Sequence, residues 1–127
     1  MRASYTYTNS DRSAAGGLRP EYVIPNHLFG LNLTHRYHSF LVSFDLNRTG
    51  AYIAPVFEND FPFRTAELTF QGFTKADLFG SYERRLSEEL VMTLFGGADN
   101  LFNAKYFENG FRAPGIVGRG GVSFRFR

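Results

Sequence analysis

Polar and apolar residues take turns, one by one, along six segments of this 127-residue chain. Ala3, Tyr5 and Tyr7 alternate with Ser4, Thr6 and Thr8. Phe29, Leu31, Leu33 and Tyr37 alternate with Gly30, Asn32, Thr34 and Arg36, and Phe40, Val42, Phe44 and Leu46 with Ser43, Asp45 and Asn47. Leu78, Gly80 and Tyr82 stand against Asp77, Ser81 and Glu83, with Phe79 an aromatic exception on the polar side. Leu90, Met92, Leu94 and Ala98 oppose Thr93, Gly97 and Asp99, and Val122, Phe124 and Phe126 oppose Arg119, Ser123 and Arg125. Successive side chains of a strand point to opposite faces, so a period of two predicts half-buried strands and not helices. The expected fold class is all-β: an antiparallel up-and-down meander of about six strands. The run Glu67–Phe73 either extends the fourth strand or forms a short piece of its own.

The connections carry a second regularity. Tight turns at Tyr37-His38-Ser39 and Ser87-Glu88-Glu89 alternate with long links at residues 9–27, 54–75 and 103–115. Membrane-spanning barrels of the bacterial outer membrane have short periplasmic turns and long extracellular loops, and a soluble meander has no reason to lengthen every second link. The pattern predicts the C-terminal part of a transmembrane β-barrel, with both tight turns and Phe126 at the periplasmic rim. Tyr37, Phe40, Tyr82 and Phe126 then fall where an aromatic girdle belongs, and Tyr52, Phe102 and Tyr106 near the opposite rim.

Composition adjusts this picture little. Aromatic residues make up 17% of the chain, with 15 Phe and no Trp, which suits pleated strands. No apolar run is long enough for a transmembrane helix, which alternating membrane strands do not need. The net charge of +2 comes from scattered Lys and Arg and does not point to nucleic acid. The chain has no cysteine, hence no disulfide framework or thiolate metal site. Its first residues, Met1 to Thr8, contain no apolar signal-peptide core, although an outer-membrane protein needs an export signal. The expectation that follows is a piece of a longer protein.

Asp99-Asn100-Leu101-Phe102-Asn103-Ala104-Lys105-Tyr106 resembles the penultimate strand and following loop of TonB-dependent outer-membrane receptors, with their Asn-Leu-Phe-(Asp/Asn)-x-x-Tyr signature. Asn100, Leu101, Phe102 and Tyr106 are the positions that carry it. Phe111-Arg112-Ala113-Pro114-Gly115 is similar to the loop that precedes the family's last strand, and Val122-Ser123-Phe124-Arg125-Phe126 to its closing strand. The likeness is specific over the last fifty or so residues and generic upstream. It implies a receptor that takes up a ferric siderophore, a vitamin or a similar scarce nutrient, localised to the bacterial outer membrane and in contact with its lipid. It implies that Val122, Phe124 and Phe126 form the signal read by the barrel-assembly machinery. Extracellular residues Tyr22, Tyr52, Phe57, Phe61, Phe111 and Arg112 become candidates for ligand capture. The family's barrels have 22 strands and a plug; no plug domain and no TonB-engaging box stands in residues 1–127, and Arg127 follows the usual terminal aromatic. A partial barrel is therefore expected, coupled to TonB only through the absent plug region. Six strands alone leave two open edges, so the isolated chain is expected to misfold, to oligomerise or to need partner strands.

Other chemistry fares poorly. His35 and His38, three apart on a strand and turn, face different ways and do not make a metal pair. Glu58-Asn59-Asp60 lacks the rest of a calcium loop. Glu83 and Asp99 have no Ser or His placed to complete a hydrolase, and read better as partners of Arg36, Arg85, Arg119 and Arg125 in charge ladders. Asn32-Leu33-Thr34 and Asn47-Arg48-Thr49 match the glycosylation pattern inside strands, by chance. The Gly-rich run 115–121 opens a strand, not a helix, and so does not cradle phosphate. Residues 119–126 place Gly121 and Ser123 where an RNA-recognition strand needs stacking aromatics. No enzyme and no cofactor are expected. The competing architecture is a self-contained small β-barrel, either porin-like in the outer membrane or soluble and ligand-binding, with its apolar face inside.

Overall fold

The computed structural model describes residues 1–9, 11–14, 17–20, 22–58, 64–108 and 111–126. Its strands in chain order are β1 (Arg2–Tyr7), β2 (Asp11–Ala14), β3 (Gly17–Pro20), β4 (His27–Tyr37), β5 (Phe40–Thr49) and β6 (Tyr52–Glu58), then β7 (Arg64–Phe70), β8 (Phe73–Arg85), β9 (Leu90–Asp99), β10 (Phe107–Glu108), β11 (Phe111–Arg112) and β12 (Val117–Phe126). Six of them form one antiparallel sheet in the order β1-β4-β5-β8-β9-β12. These are the six alternating segments, each beside its neighbour in sequence once the short strands are set aside. The short strands pair among themselves, β2 with β3, β6 with β7 and β10 with β11. Each long link thus carries a hairpin of its own. The run Glu67–Phe73 is divided: its first part completes β7 and Phe73 opens β8.

Register brings the six apolar faces into one. Tyr5 lies opposite Phe29, Phe29 opposite Arg48 and Arg48 opposite Thr74. Lower down, Tyr37 meets Phe40, Phe40 meets Tyr82, Tyr82 meets Leu94 and Leu94 meets Val122. A slip of one residue in any pair would turn that strand's apolar set to the other face, which is why a continuous face pins the register. The opposite face collects Arg2, Asn32, Asp45, Asp77, Arg119 and Arg125, together with Phe79 and Phe95.

The sheet has almost no core. Among the described residues only Ala76, Val91, Tyr106 and Asn100 are buried. Phe40, Val42, Leu78, Leu94, Val122 and Phe124 of the apolar face are all exposed. A water-soluble sheet of this composition covers such a face with a second layer; here no element does so among the described residues. The sheet is also open: β1 and β12 each pair on one side only, and not with each other.

Local geometry explains the connections. His38 starts the two-residue turn between β4 and β5 with φ 50°, a left-handed conformation that suits a hairpin turn. The β8–β9 turn closes through the Leu86 and Ser87 amides, which donate to the Leu90 carbonyl at 2.8 and 3.2 Å. At Gly72, between β7 and β8, a Cβ would stand 2.6 Å from the Thr49 carbonyl oxygen, so only glycine lets the hairpin's return lie this close to β5. Gly121 serves a side chain instead: the Phe95 ring lies over it, 2.8 Å from where a Cβ would be.

Candidate functional site

Both tight turns lie at one end of the sheet, and all three hairpin-bearing links lie at the other. At the loop end the links are tied to one another. The Val23 amide donates to the Ile53 carbonyl (2.8 Å), joining the first link to β6. Arg19 pairs with Glu67 of β7 at 3.4 Å, and the Tyr22 hydroxyl donates to the same carboxylate. The Tyr52 hydroxyl donates to the Phe107 carbonyl (3.1 Å), joining β6 to the third link. Tyr52 stacks on Phe70 with centroids 5.3 Å apart, and Phe70 meets Phe107 edge-on at 5.7 Å. Aromatic pairs in these geometries add about 0.5–1.5 kcal/mol each beyond the area they bury.

Asn100 organises the third link. It has φ 56°, is 2% exposed, and has its backbone and side chain both engaged. Its amide N–H donates to the Asp77 carboxylate (2.8 Å). Its Nδ2 donates to the carbonyls of Ala104 (3.0 Å) and Pro114 (3.1 Å), and its Oδ1 accepts from the Ala104 amide (2.9 Å). One side chain thereby staples both ends of the loop where the ladder stops. Leu101 follows, its amide donating to the Ala76 carbonyl (2.7 Å), whereas Phe102 points into the open, 59% exposed. Tyr106 is 7% exposed and stacks on Phe73 at 4.2 Å. Tyr52 and Tyr106 thus lie at the expected rim, but packed among the loops instead of lining an outer girdle. Tyr5, Tyr7 and Phe29 occupy the apolar face at that end. At the opposite rim Tyr37, Phe40 and Tyr82 share one row, the last two with rings 4.6 Å apart.

A cleft of about 280 Å³ opens between the first link and the β6–β7 hairpin, lined by Ile24, Asn26, His27, Ala51, Tyr52, Ile53 and Thr69. Its walls are mainly apolar with a few polar groups, an arrangement suited to holding a small molecule. Of the residues expected to capture ligand, Tyr52 lines this cleft. Tyr22 is engaged with Glu67 across the loops. Phe57 lies in β6 opposite Thr65. Phe111, 79% exposed, and Arg112 form β11, away from the cleft lining. Phe61 lies outside the described residues. Ile24, Asn26, Ile53 and Thr69 escaped sequence reading because only the hairpin's fold-back brings them together.

The polar face is a hydrogen-bonded ladder. Arg119 pairs with Asp99 (3.1 Å), Arg125 with Glu83 (3.5 Å) and Lys75 with Asp77 (3.2 Å). Asp45 and Asp77 sit directly opposite one another, a repulsive placement offset by Lys75 on one side and by the Asn32 amide, 2.6 Å from Asp45, on the other. Thr34 and Ser43 extend the ladder with hydroxyls 3.1 Å apart. Arg36 and Arg85, expected in the same ladders, form no ion pair among the described residues. His35 faces the apolar side opposite Val42, and His38 in the turn packs edge-on against Tyr37 at 4.3 Å. No group of three metal-ligating side chains occurs among the described residues.

Val122, Phe124 and Phe126 lie on the apolar face of β12, opposite Leu94, Met92 and Leu90. Comparison with protein-family models, with characterised proteins and with solved structures returns no match.

Proposed function

We propose that this chain is a wall segment of an outer-membrane β-barrel, the C-terminal part of a receptor resembling the TonB-dependent family. The observation that carries the reading is the single apolar face, continuous across six strands and exposed. Lipid is the environment in which such a face lies at low free energy, while the hydrogen-bonded polar face suits a hydrated lumen. A measure of height supports it. The apolar face is bounded by Arg48 near the loop end and by Arg84 near the turn end, both exposed. From Thr74, which pairs with Arg48, to Arg84 is ten residues of β8. At about 3.4 Å per residue that is about 34 Å of strand. Tilted by about 40°, it rises about 26 Å, against the roughly 25 Å apolar band of such barrels.

The receptor reading rests on the Asn100-Leu101-Phe102 phrase, whose asparagine holds the loop that follows the strand. In a complete receptor the linked loops would form part of the outer mouth, and Tyr52 with the cleft beside it would contact an incoming siderophore, vitamin or similar nutrient. Transport would be powered through a plug that engages TonB. The apolar side chains of β12 would be read by the barrel-assembly machinery.

The test is partition. The refolded chain is expected to require detergent or phospholipid vesicles to stay monodisperse, and to float with phosphatidylcholine vesicles at high salt. A soluble, monodisperse chain in plain buffer would falsify the membrane assignment.

A further inference from the structure

We infer that the loop-end rim of the apolar face holds a site for a phosphate-bearing lipid headgroup, centred on Arg48. The inference rests on the membrane reading above, which places this rim at the outer headgroup level. Arg48 is exposed on the otherwise apolar face, in the row Tyr5–Phe29–Arg48–Thr74. Its Nη1 donates to the Thr74 hydroxyl at 3.1 Å, and among the described residues no carboxylate pairs with it. Of the polar-face arginines, Arg119 and Arg125 have acidic partners, while Arg36 and Arg85 pair with none among the described residues; what sets Arg48 apart from them is its place on the apolar face.

A guanidinium has five N–H donors. The Thr74 bond uses one and tethers the group to the sheet, leaving the fork that matches a phosphate in bidentate fashion. Beside it, one row closer to the loops, stands His27, exposed, with Nδ1 2.8 Å from the Tyr5 hydroxyl and its ring 5.2 Å from that of Tyr7. In the tautomer in which Nδ1 accepts from the Tyr5 hydroxyl, Nε2–H is a donor able to meet the same headgroup. The surrounding Tyr5, Tyr7 and Phe29 supply amphipathic and apolar surface for the upper acyl chains, as interfacial aromatics do. An uncompensated cation at the upper edge of a lipid-facing surface is therefore matched by an anionic lipid, and not by a polypeptide, which would have to displace lipid from the same face.

The test uses the chain refolded into phosphatidylcholine nanodiscs containing a minority of phosphatidic acid, reading phosphatidic acid retained per chain after transfer to detergent. Arg48→Gln is expected to lower retention about fivefold, the factor typical of one basic group at an anionic membrane surface. Arg48→Lys is expected to keep most of it. Arg36→Gln, which removes the same charge from the polar face, is expected to leave it unchanged. Retention by the unmodified chain must also fall as salt rises from about 0.05 to about 0.5 M, because exposed charges are screened; this arm needs no variant to fold. Equal retention by Arg48→Gln and the parent, both inserted, overturns the headgroup site and leaves the membrane reading standing, as does retention indifferent to salt. A parent chain that does not enter phosphatidylcholine at all overturns both.

Discussion

Asn100 combines two requirements that few residues satisfy together. Its φ of 56° favours Gly, Asn or Asp, and its side chain must donate twice and accept once in a buried place. Asn100→Gly keeps the backbone and loses the three side-chain bonds, so it is expected to cost about 2–3 kcal/mol from the buried groups left unpaired. Asn100→Ala adds about 1 kcal/mol for the left-handed conformation. Unfolding midpoints in detergent should rank parent, Gly variant and Ala variant in that order; equal midpoints for parent and Gly variant would show that the staple contributes nothing. Val23 presents the converse situation, since its φ of 62° is strained for a β-branched residue. Its amide bond to Ile53 does not involve the side chain, so Val23→Asn is expected to raise stability by about 1 kcal/mol, read as a higher midpoint.

Elements in this molecule differ in what holds them. The long strands are held by ladders and by lateral packing on one face. The three hairpins are held by rings and by bonds between links, as Tyr52 shows in touching both Phe70 and Phe107. Gly72 is the point where the middle hairpin rejoins the sheet. Gly72→Ala would drive a Cβ against the backbone of Thr49, Gly50 and Ala51 and is expected to cost about 1–3 kcal/mol. It should also loosen β6–β7 selectively. Hydrogen exchange at Ile53 to Phe57 checks this, and uniform loss of protection over β8 and β9 would count against a local effect. The outer strands pose a different problem. With β1 and β12 each paired on one side among the described residues, their free edges would, if the sheet lies in lipid as proposed, need further strands or other copies as partners.

For the whole molecule the membrane proposal turns on which face would meet lipid. Leu78 and Ser81 lie on the same strand, on the apolar and polar faces respectively, both between the Arg48 and Arg84 levels. Leu78→Arg would put a charge near the middle of the apolar band and is expected to cost about 2–4 kcal/mol of stability in a bilayer. Ser81→Arg lies on the polar face, which the proposal turns to a lumen, and is expected to cost less than about 1 kcal/mol. Urea unfolding from vesicles compares the two, and the opposite ranking would invert the assignment of faces.

The six long strands, their alternating faces and the alternation of tight and long connections can be read from the chain alone. Each of these is a local property: a period of two is visible residue by residue, and a turn announces itself by its shortness and polarity. Even the Phe79 exception was legible, though not that Phe95 lies near it on the polar face, with centroids 6.5 Å apart. The hairpins within the long links needed the fold: β6 lacks a clean alternation and carries Pro55, and although Ala66, Leu68 and Phe70 alternate with Thr65, Glu67 and Thr69 in β7, nothing local says which strand it pairs with. Only the tertiary structure turned Tyr52 and Tyr106 inward among the loops and joined Tyr22 to Glu67, contacts between residues far apart in sequence. And only register placed Arg48 in the same row as Tyr5, Phe29 and Thr74. Alternation tells which face a residue takes, but not which strand's residue stands beside it; hydrogen-bonded pairing across the sheet sets that.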